Sequence, residues 1–230
     1  MKHLLLVIYY FIFCINIYAQ KEITIVCFGN STTALRKNVK NVYAQRLQEK
    51  SDSAGIVTKI INSGVASSHT GSIRDNEYAK VVHAMDRFDT AVLKYEPDWV
   101  TINFGLNDAY QDKGIGTPSR IPLKNFEKNI KYFIRKIKRN GGNIILITPN
   151  PLGKKFEQFR HEKVREYADC IRKIAKRKNI LLIDSWKLFY EYANQKRQPV
   201  DILFTDGIHP NDTGHELIAK EIFNIISKKK

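Results

Sequence analysis

The sequence predicts an α/β domain: a parallel β-sheet with helices packed on both faces. Three observations predict it. Five short apolar runs, rich in β-branched and aromatic residues, alternate with longer stretches of helical period. Most of the runs are cut off by Gly, Asn or Pro, the residues that end strands. Strands separated by helices are joined by right-handed crossovers, and these place helices on both sides of one sheet.

The first run is Ile23 to Phe28, ended by Gly29 and Asn30. A helical pattern follows over Val42 to Lys50, with Val42, Tyr43 and Leu47 on one side. Val57 to Ile61 reads as the second strand, ended by Asn62-Ser63-Gly64. Tyr78 to Leu93 is mainly helical in pattern, and Trp99 to Phe104 is the third strand, ended by Gly105. Pro122 opens a strong helix as its first residue. Leu123, Phe126, Ile130, Phe133, Ile134 and Ile137 form the apolar stripe of that helix, and Gly141-Gly142 end it. Asn143 to Thr148 is the fourth strand, stopped by Pro149. Phe156 to Arg177 is helical, and Ile180 to Ile183 is the fifth strand. Thr213 to Ser227 is the last helix, with Leu217, Ile218, Ile222, Phe223 and Ile226 inward. No repeat, linker or low-complexity segment interrupts the alternation. The expected architecture is a three-layer α/β/α sandwich, flavodoxin-like, with a five-stranded parallel sheet. The longest irregular stretch, Asp108 to Ile121, is a candidate functional loop.

The chain starts Met1-Lys2-His3, and Leu4 to Ile17 carries almost no polar side chain before Tyr18-Ala19-Gln20. A basic start, an apolar core and a small residue make a secretory signal, with cleavage expected after Ala19. The run is shorter than the ~20 residues that span a bilayer. Bulky Phe11-Ile12-Phe13 before Cys14 argues against a lipid-modified cysteine. Residues 20–230 are then expected as one domain, secreted or periplasmic, with no membrane span left. Cys27 and Cys170 do not make a disulfide framework and read as buried small apolar residues. The formal charge is +15, with Lys and Arg concentrated on helical patterns at Arg135 to Arg139 and Arg172 to Lys178, and at Lys228 to Lys230. No aromatic-basic motif of a nucleic-acid-binding module accompanies these clusters, so nucleic acid is not an expected partner. No cluster has metal-ligand spacing and no glycine-rich phosphate loop is present, so no metal or cofactor is expected.

Three stretches carry the chemistry. Ser31 follows the first strand, where Gly29-Asn30-Ser31 is also ordinary turn chemistry. Gly105-Leu106-Asn107-Asp108 follows the third strand, and Asp206-Gly207-Ile208-His209-Pro210-Asn211 precedes the last helix. Parallel strands bring such distant ends to one edge of the sheet. A serine nucleophile needs a base, and the base needs a third group to hold its tautomer. His209 is the candidate base, and Asp206 can hold its ring from the same short turn. Attack on an ester carbonyl creates an oxyanion, for which the candidate donors are the Ser31 amide, the Gly64 amide and the Asn107 side chain. His69, in the loop after Gly64, is expected on the surface. His83, His161 and His215 lie on helical patterns as surface or packing residues.

In these stretches the chain resembles the SGNH hydrolases, also called GDSL esterases. The family's serine, glycine, asparagine and histidine blocks match Gly29-Asn30-Ser31, Asn62-Ser63-Gly64, Gly105-Leu106-Asn107-Asp108 and Asp206-Gly207-Ile208-His209-Pro210, in that order. The resemblance implies the SGNH hydrolase fold, a serine esterase without cofactor, catalytic Ser31, Asp206 and His209, and an oxyanion hole from Ser31, Gly64 and Asn107. The departure is Asn30, where the family usually has aspartate. Asparagine keeps the size and the acceptor oxygen but not the charge, and some carbohydrate deacetylases of the family also carry Gly-Asn-Ser. The expected substrate is an acylated small molecule or polysaccharide, anionic ones included, with an O-acetylated carbohydrate fitting best. The rim from Asp108 to Arg120 offers Tyr110, Gln111, Asp112, Lys113 and Arg120, with tyrosine as a platform for a sugar ring. A lipase or arylesterase is the alternative within esterases. A glycan-binding protein on an inactivated esterase fold is the alternative outside them.

Overall fold

The computed structural model describes residues 21–76 and 78–228. The expected signal segment, its cleavage point and Cys14 lie outside the described residues. Five strands form one sheet: β1 (Ile23–Gly29), β2 (Thr58–Gly64), β3 (Trp99–Asn103), β4 (Asn143–Ile147) and β5 (Leu181–Ile183). Their order is β2-β1-β3-β4-β5 and every pairing is parallel. The chain leaves β1 toward β2 on one side and returns to β3 on the other. The strand order therefore reverses between β1 and β3, and the crevice beyond their C-terminal ends is where open α/β sheets bind ligands.

The central strands β1, β3 and β4 are buried on both faces, while the edge strands β2 and β5 are mostly half-buried. Alternate residues face opposite layers: Val26 and Phe28 pack with α2 (Ala84–Ala91), α4 (Leu123–Arg139) and α5 (Gln158–Lys178). Ile25 and Cys27 pack with α1 (Tyr43–Ser53), α6 (Ser185–Gln195) and α7 (Asp212–Ser227). A short α3 (Leu106–Ala109) sits at the end of β3. Cys27 and Cys170 are buried, as read from the sequence, and both are free thiols.

Three details differ from expectation. The helix expected over Tyr78 to Leu93 is confined to Ala84–Ala91, followed by a 3-10 turn at Leu93–Tyr95. His83 starts it: its N–H donates to Asp86 Oδ2 at 3.1 Å, and its ring is buried against His69 with centroids 3.5 Å apart. That buried stack pulls the preceding residues into the loop. Helix α6 was not anticipated, although Asp184 accepts from the Lys187 N–H at 3.1 Å as a cap and Ser185, Phe189 and Ala193 repeat at helical spacing. Pro122 lies one residue before the helix it was expected to open, and Leu123 at its start is exposed.

Phe28 is fully buried and meets Phe88, Phe104 and Phe133 edge-on, with ring centroids 5.0–5.7 Å apart. Phe28→Ala is therefore expected to lower stability by about 3–5 kcal/mol, measured by chemical denaturation.

Candidate active site

Ser31 is the second residue after β1. The Asn30 N–H donates to Asn103 O of β3 at 3.3 Å, and the N–H groups of Thr33 and Ala34 both donate to Asn30 O at 3.0 Å. This turn leaves Ser31 half-buried on a cavity wall. Asn30 itself is buried, and its Oδ1 accepts from Thr32 N at 3.0 Å and Thr32 Oγ1 at 2.8 Å. One acceptor oxygen serves both bonds, so the turn needs no charge at position 30. The other end of that amide, Nδ2, is buried with no hydrogen-bond partner among the described residues.

Asp206 and His209 come from the segment between the 3-10 turn Val200–Leu203 and α7. Gly207 takes φ +78°, a conformation suited to glycine, and this folds the segment back on itself. Asp206 Oδ1 accepts from the amides of Ile208 (3.2 Å) and His209 (2.9 Å). Its Oδ2 lies 2.7 Å from His209 Nδ1, and His209 Nε2 lies 2.9 Å from Ser31 Oγ. An ionised carboxylate only accepts, so the ring proton belongs on Nδ1 and Nε2 is free to accept from the Ser31 hydroxyl. Burial alone would raise the Asp206 carboxyl, but bonds from the His209 amide and ring and the Ile208 amide outweigh it and hold it below the usual carboxylate range. Burial pulls His209 below its ordinary value, and Arg36 and Lys155 push the same way against the attraction of Asp206. A neutral base, an ionised acid and a hydroxyl in one hydrogen-bonded row can activate the hydroxyl for attack on a carbonyl.

The donors around Ser31 are not all those expected. Asn107, on α3, lines the same cavity, with one amide N–H donated to Ser68 O at 3.0 Å and no other side-chain partner among the described residues. Gly64 is different. It is the last residue of β2, its N–H donates to Asn62 Oδ1 at 2.9 Å, and it is not among the cavity-lining residues. A side chain there would collide with the Ala34 backbone, so this glycine serves close packing. The residue that reaches the cavity from the same segment is Ser67, at φ +62°. Among the described residues, neither the Ser31 nor the Ser67 amide donates to another protein group. A serine in a left-handed conformation gives no signal in residue type, which is why the sequence pointed to the glycine instead.

The loop carrying Ser67 is anchored from behind. Asp108 Oδ1 accepts from Thr70 N (2.8 Å) and Thr70 Oγ1 (2.6 Å), and Oδ2 accepts from Gly105 N (3.0 Å). Burial pushes this carboxyl up to about 6 against those bonds. His69, expected on the surface, is instead buried and stacked on His83, whose Nδ1 accepts the His69 amide at 3.2 Å. His83 and His215 are buried packing residues.

The cavity measures about 540 Å³. Leu106, Ala109, Leu152, Phe156, Val164 and Ile208 make its apolar wall, while Arg36, Arg120, Arg160 and Lys163 add positive charge against Asp112. Tyr110 is flanked by the Arg120 and Arg160 guanidiniums, each 4.3 Å from the ring centroid, so its faces are not a bare platform. Gln111 is buried, with its side-chain amide donated to Thr117 O. Lys113 is not part of the wall. Among the described residues, no group of three or more His, Cys, Asp or Glu side chains is arranged to hold a metal ion.

The profile of the GDSL-like lipase/acylhydrolase family matches residues 27–217. An acetylxylan esterase of Geobacillus stearothermophilus is 24% identical over 164 residues, 70% of this chain and 69% of that one. A lipase/acylhydrolase from Enterococcus faecalis superposes with a TM-score of 0.72 at 26% identity, covering 90% of this chain and 96% of that one. The acetyl xylan esterase AlAXEase does so with a TM-score of 0.70 at 26% identity, covering 89% and 100%. The fold is that of the SGNH hydrolases.

If Ser31 is the attacking group, Ser31→Ala should lower hydrolysis of p-nitrophenyl acetate at least about 10³-fold with the circular-dichroism melt unchanged.

Proposed function

The chain belongs to the GDSL-like lipase/acylhydrolase family, and from that premise we propose that it cleaves an oxygen ester through an acyl-enzyme on Ser31. It is a carboxylic ester hydrolase; the roles of its residues and its substrate are the proposal. The observation that carries it is the row Ser31–His209–Asp206, closed at 2.9 and 2.7 Å by segments 178 residues apart in sequence.

Ser31 Oγ attacks the carbonyl carbon and its proton passes to His209 Nε2. Asp206 holds the ring and offsets the charge of the imidazolium. The carbonyl oxygen, now an oxyanion, accepts from the amides of Ser31 and Ser67 and from the Asn107 side chain. Collapse expels the alcohol, which takes the proton from His209. Water then attacks the acyl-serine with His209 as base, releasing the acid and restoring Ser31.

The proposed substrate is an O-acetylated carbohydrate, met outside the cytoplasm as a secreted or periplasmic enzyme. Support comes from the acetylxylan esterases among the relatives and from the basic, apolar N-terminal stretch. Among the described residues no helix is long and apolar enough to cross a membrane. The formal charge of +15 favours acidic sugars over neutral ones; the four cations on the cavity wall are each paired with a carboxylate, Arg36 with Asp206, Arg120 with Asp112, Arg160 with Glu157 and Lys163 with Glu166. A second reading, an esterase for larger acyl or aryl groups, is favoured by one observation: the apolar wall and the 540 Å³ cavity exceed what an acetyl group fills.

Asn107→Ala is expected to reduce kcat by about 10²–10³-fold with KM little changed. A rise in KM alone would reassign Asn107 to substrate contact. The deacetylase reading expects acetate release from acetylated glycans, faster turnover of acetyl than of C8–C12 esters, and a kcat/KM on acidic glycans that falls as salt rises. Equal or better turnover of the long esters would select the second reading.

A further inference from the structure

Arg36 stands on the loop that carries Ser31 and lines the same cavity. Its Nη2 lies 3.4 Å from Asp206 Oδ2, the oxygen that accepts the His209 ring N–H at 2.7 Å. Its Nε donates to Asn38 Oδ1 at 3.3 Å, and its side chain is only 21% exposed. The row of polar contacts therefore has four members: Ser31, His209, Asp206 and Arg36. Asp206 Oδ1 is already filled by two backbone amides, so the Arg36 guanidinium takes acceptor capacity of Oδ2 that would otherwise face water.

We propose that Arg36 is a positioning residue of the esterase, fixing the outer side of the Asp206 carboxylate and setting the pH below which His209 stops acting as a base. The proposal rests on the reading of Ser31, His209 and Asp206 as the hydrolytic row.

The Asp206 side chain is 39% exposed, and among the described residues the polar contacts of its outer oxygen are the His209 ring and Arg36. A rotated or solvated carboxylate would leave the ring free to turn away from Ser31. The guanidinium resists that rotation. Its second effect is electrostatic. The charged and titratable groups around His209 are Asp206 on its own segment, Arg36 after β1, Lys155 after β4 and His215 on α7. Burial pushes His215 down to about 3, so it is neutral near pH 7. Asp206 favours the imidazolium, and Arg36 and Lys155 oppose it. Removing Arg36 takes away a cation and leaves Asp206 less compensated. Both changes favour the imidazolium, so His209 would be protonated at higher pH and the acid limb of kcat/KM would move up. A methionine keeps much of the aliphatic bulk without the charge, whereas a lysine keeps the charge without the planar fork.

The test compares wild type, Arg36→Met and Arg36→Lys in two measurements: kcat/KM for p-nitrophenyl acetate against pH, and the NMR titration of the His209 ring in the Ser31→Ala background. Melting curves of all variants accompany them. The expected result is an upward shift of the acid limb and of the ring titration by about half a pH unit to one unit in Arg36→Met at low salt. Arg36→Lys should show less than half of that shift, and salt should shrink the difference. Superimposable profiles for Arg36→Met and wild type, or equal shifts in both variants, overturn the proposal. The NMR arm needs no turnover, so a wild type that cleaves no ester overturns the hydrolytic reading separately from the Arg36 coupling.

Discussion

The site depends on β1 being hydrogen-bonded on both sides, to β2 and β3, in a register that ends all three strands together. Gly29 pairs with Gly64 on one side and Asn103 on the other. A side chain at Gly29 would collide with the Thr33 hydroxyl and press on Asn103 O, so only glycine lets the chain turn this tightly into Ser31. Arg87 ties the same ends together. Its Nη2 donates to Gly29 O at 2.8 Å, its Nη1 to Ser63 O at 2.7 Å, and its guanidinium lies 4.6 Å from the Phe28 ring centroid. Burial pushes Arg87 down to about 10, which leaves it charged at neutral pH. Two strand ends are thus held by one buried cation, and Ser31 and Ser67 leave from those ends.

Much of this was legible in sequence, and the reasons differ by element. The five strands were readable because buried parallel strands are short and uniformly apolar. Helices between the strands made a parallel sheet legible, but crossover handedness alone does not fix the order β2-β1-β3-β4-β5, which the structure supplies. Ser31, Asp206 and His209 could be named because an acid and a base three residues apart belong to one turn. The second donor proposed for the oxyanion, Ser67, could not be read this way. Gly64 has the residue type expected of a donor at a tight turn, but its place in β2 commits its amide to Asn62. Ser67 occupies a left-handed backbone conformation that its residue type disfavours. The rim was read in part: Tyr110, Gln111, Asp112 and Arg120 do line the cavity and Lys113 does not, but the surroundings of Tyr110 could not be foreseen. Tyr110 sits in a polar loop, and only tertiary structure brings Arg160 from α5 to its face. His69 was assigned to the surface because its partner, His83, lies across an irregular loop that no local pattern predicts.

The charges around the site work in opposite directions on its two titratable members. Asp206 collects donors and stays ionised, while His209 is kept neutral by burial and nearby cations. That combination suits a base that must be unprotonated before attack and carry a proton only during it. Asn30 fits the same picture. A carboxylate there would stand beside Ser31 in a buried turn, and the neutral amide supports the turn through Oδ1 without adding charge. The cavity beyond carries cations on one part of its wall and aliphatic side chains on another, so it presents both polar and apolar surface beside Ser31.

The central claim is that Ser31 is the nucleophile and that His209 makes it one. It is tested most directly by treating the protein with a serine-directed fluorophosphonate and mapping the adduct by mass spectrometry. The account predicts one adduct, on Ser31, that forms in wild type and is lost or slowed by orders of magnitude in His209→Ala. A modification at another residue, or labelling of Ser31 that proceeds equally fast without His209, would contradict it.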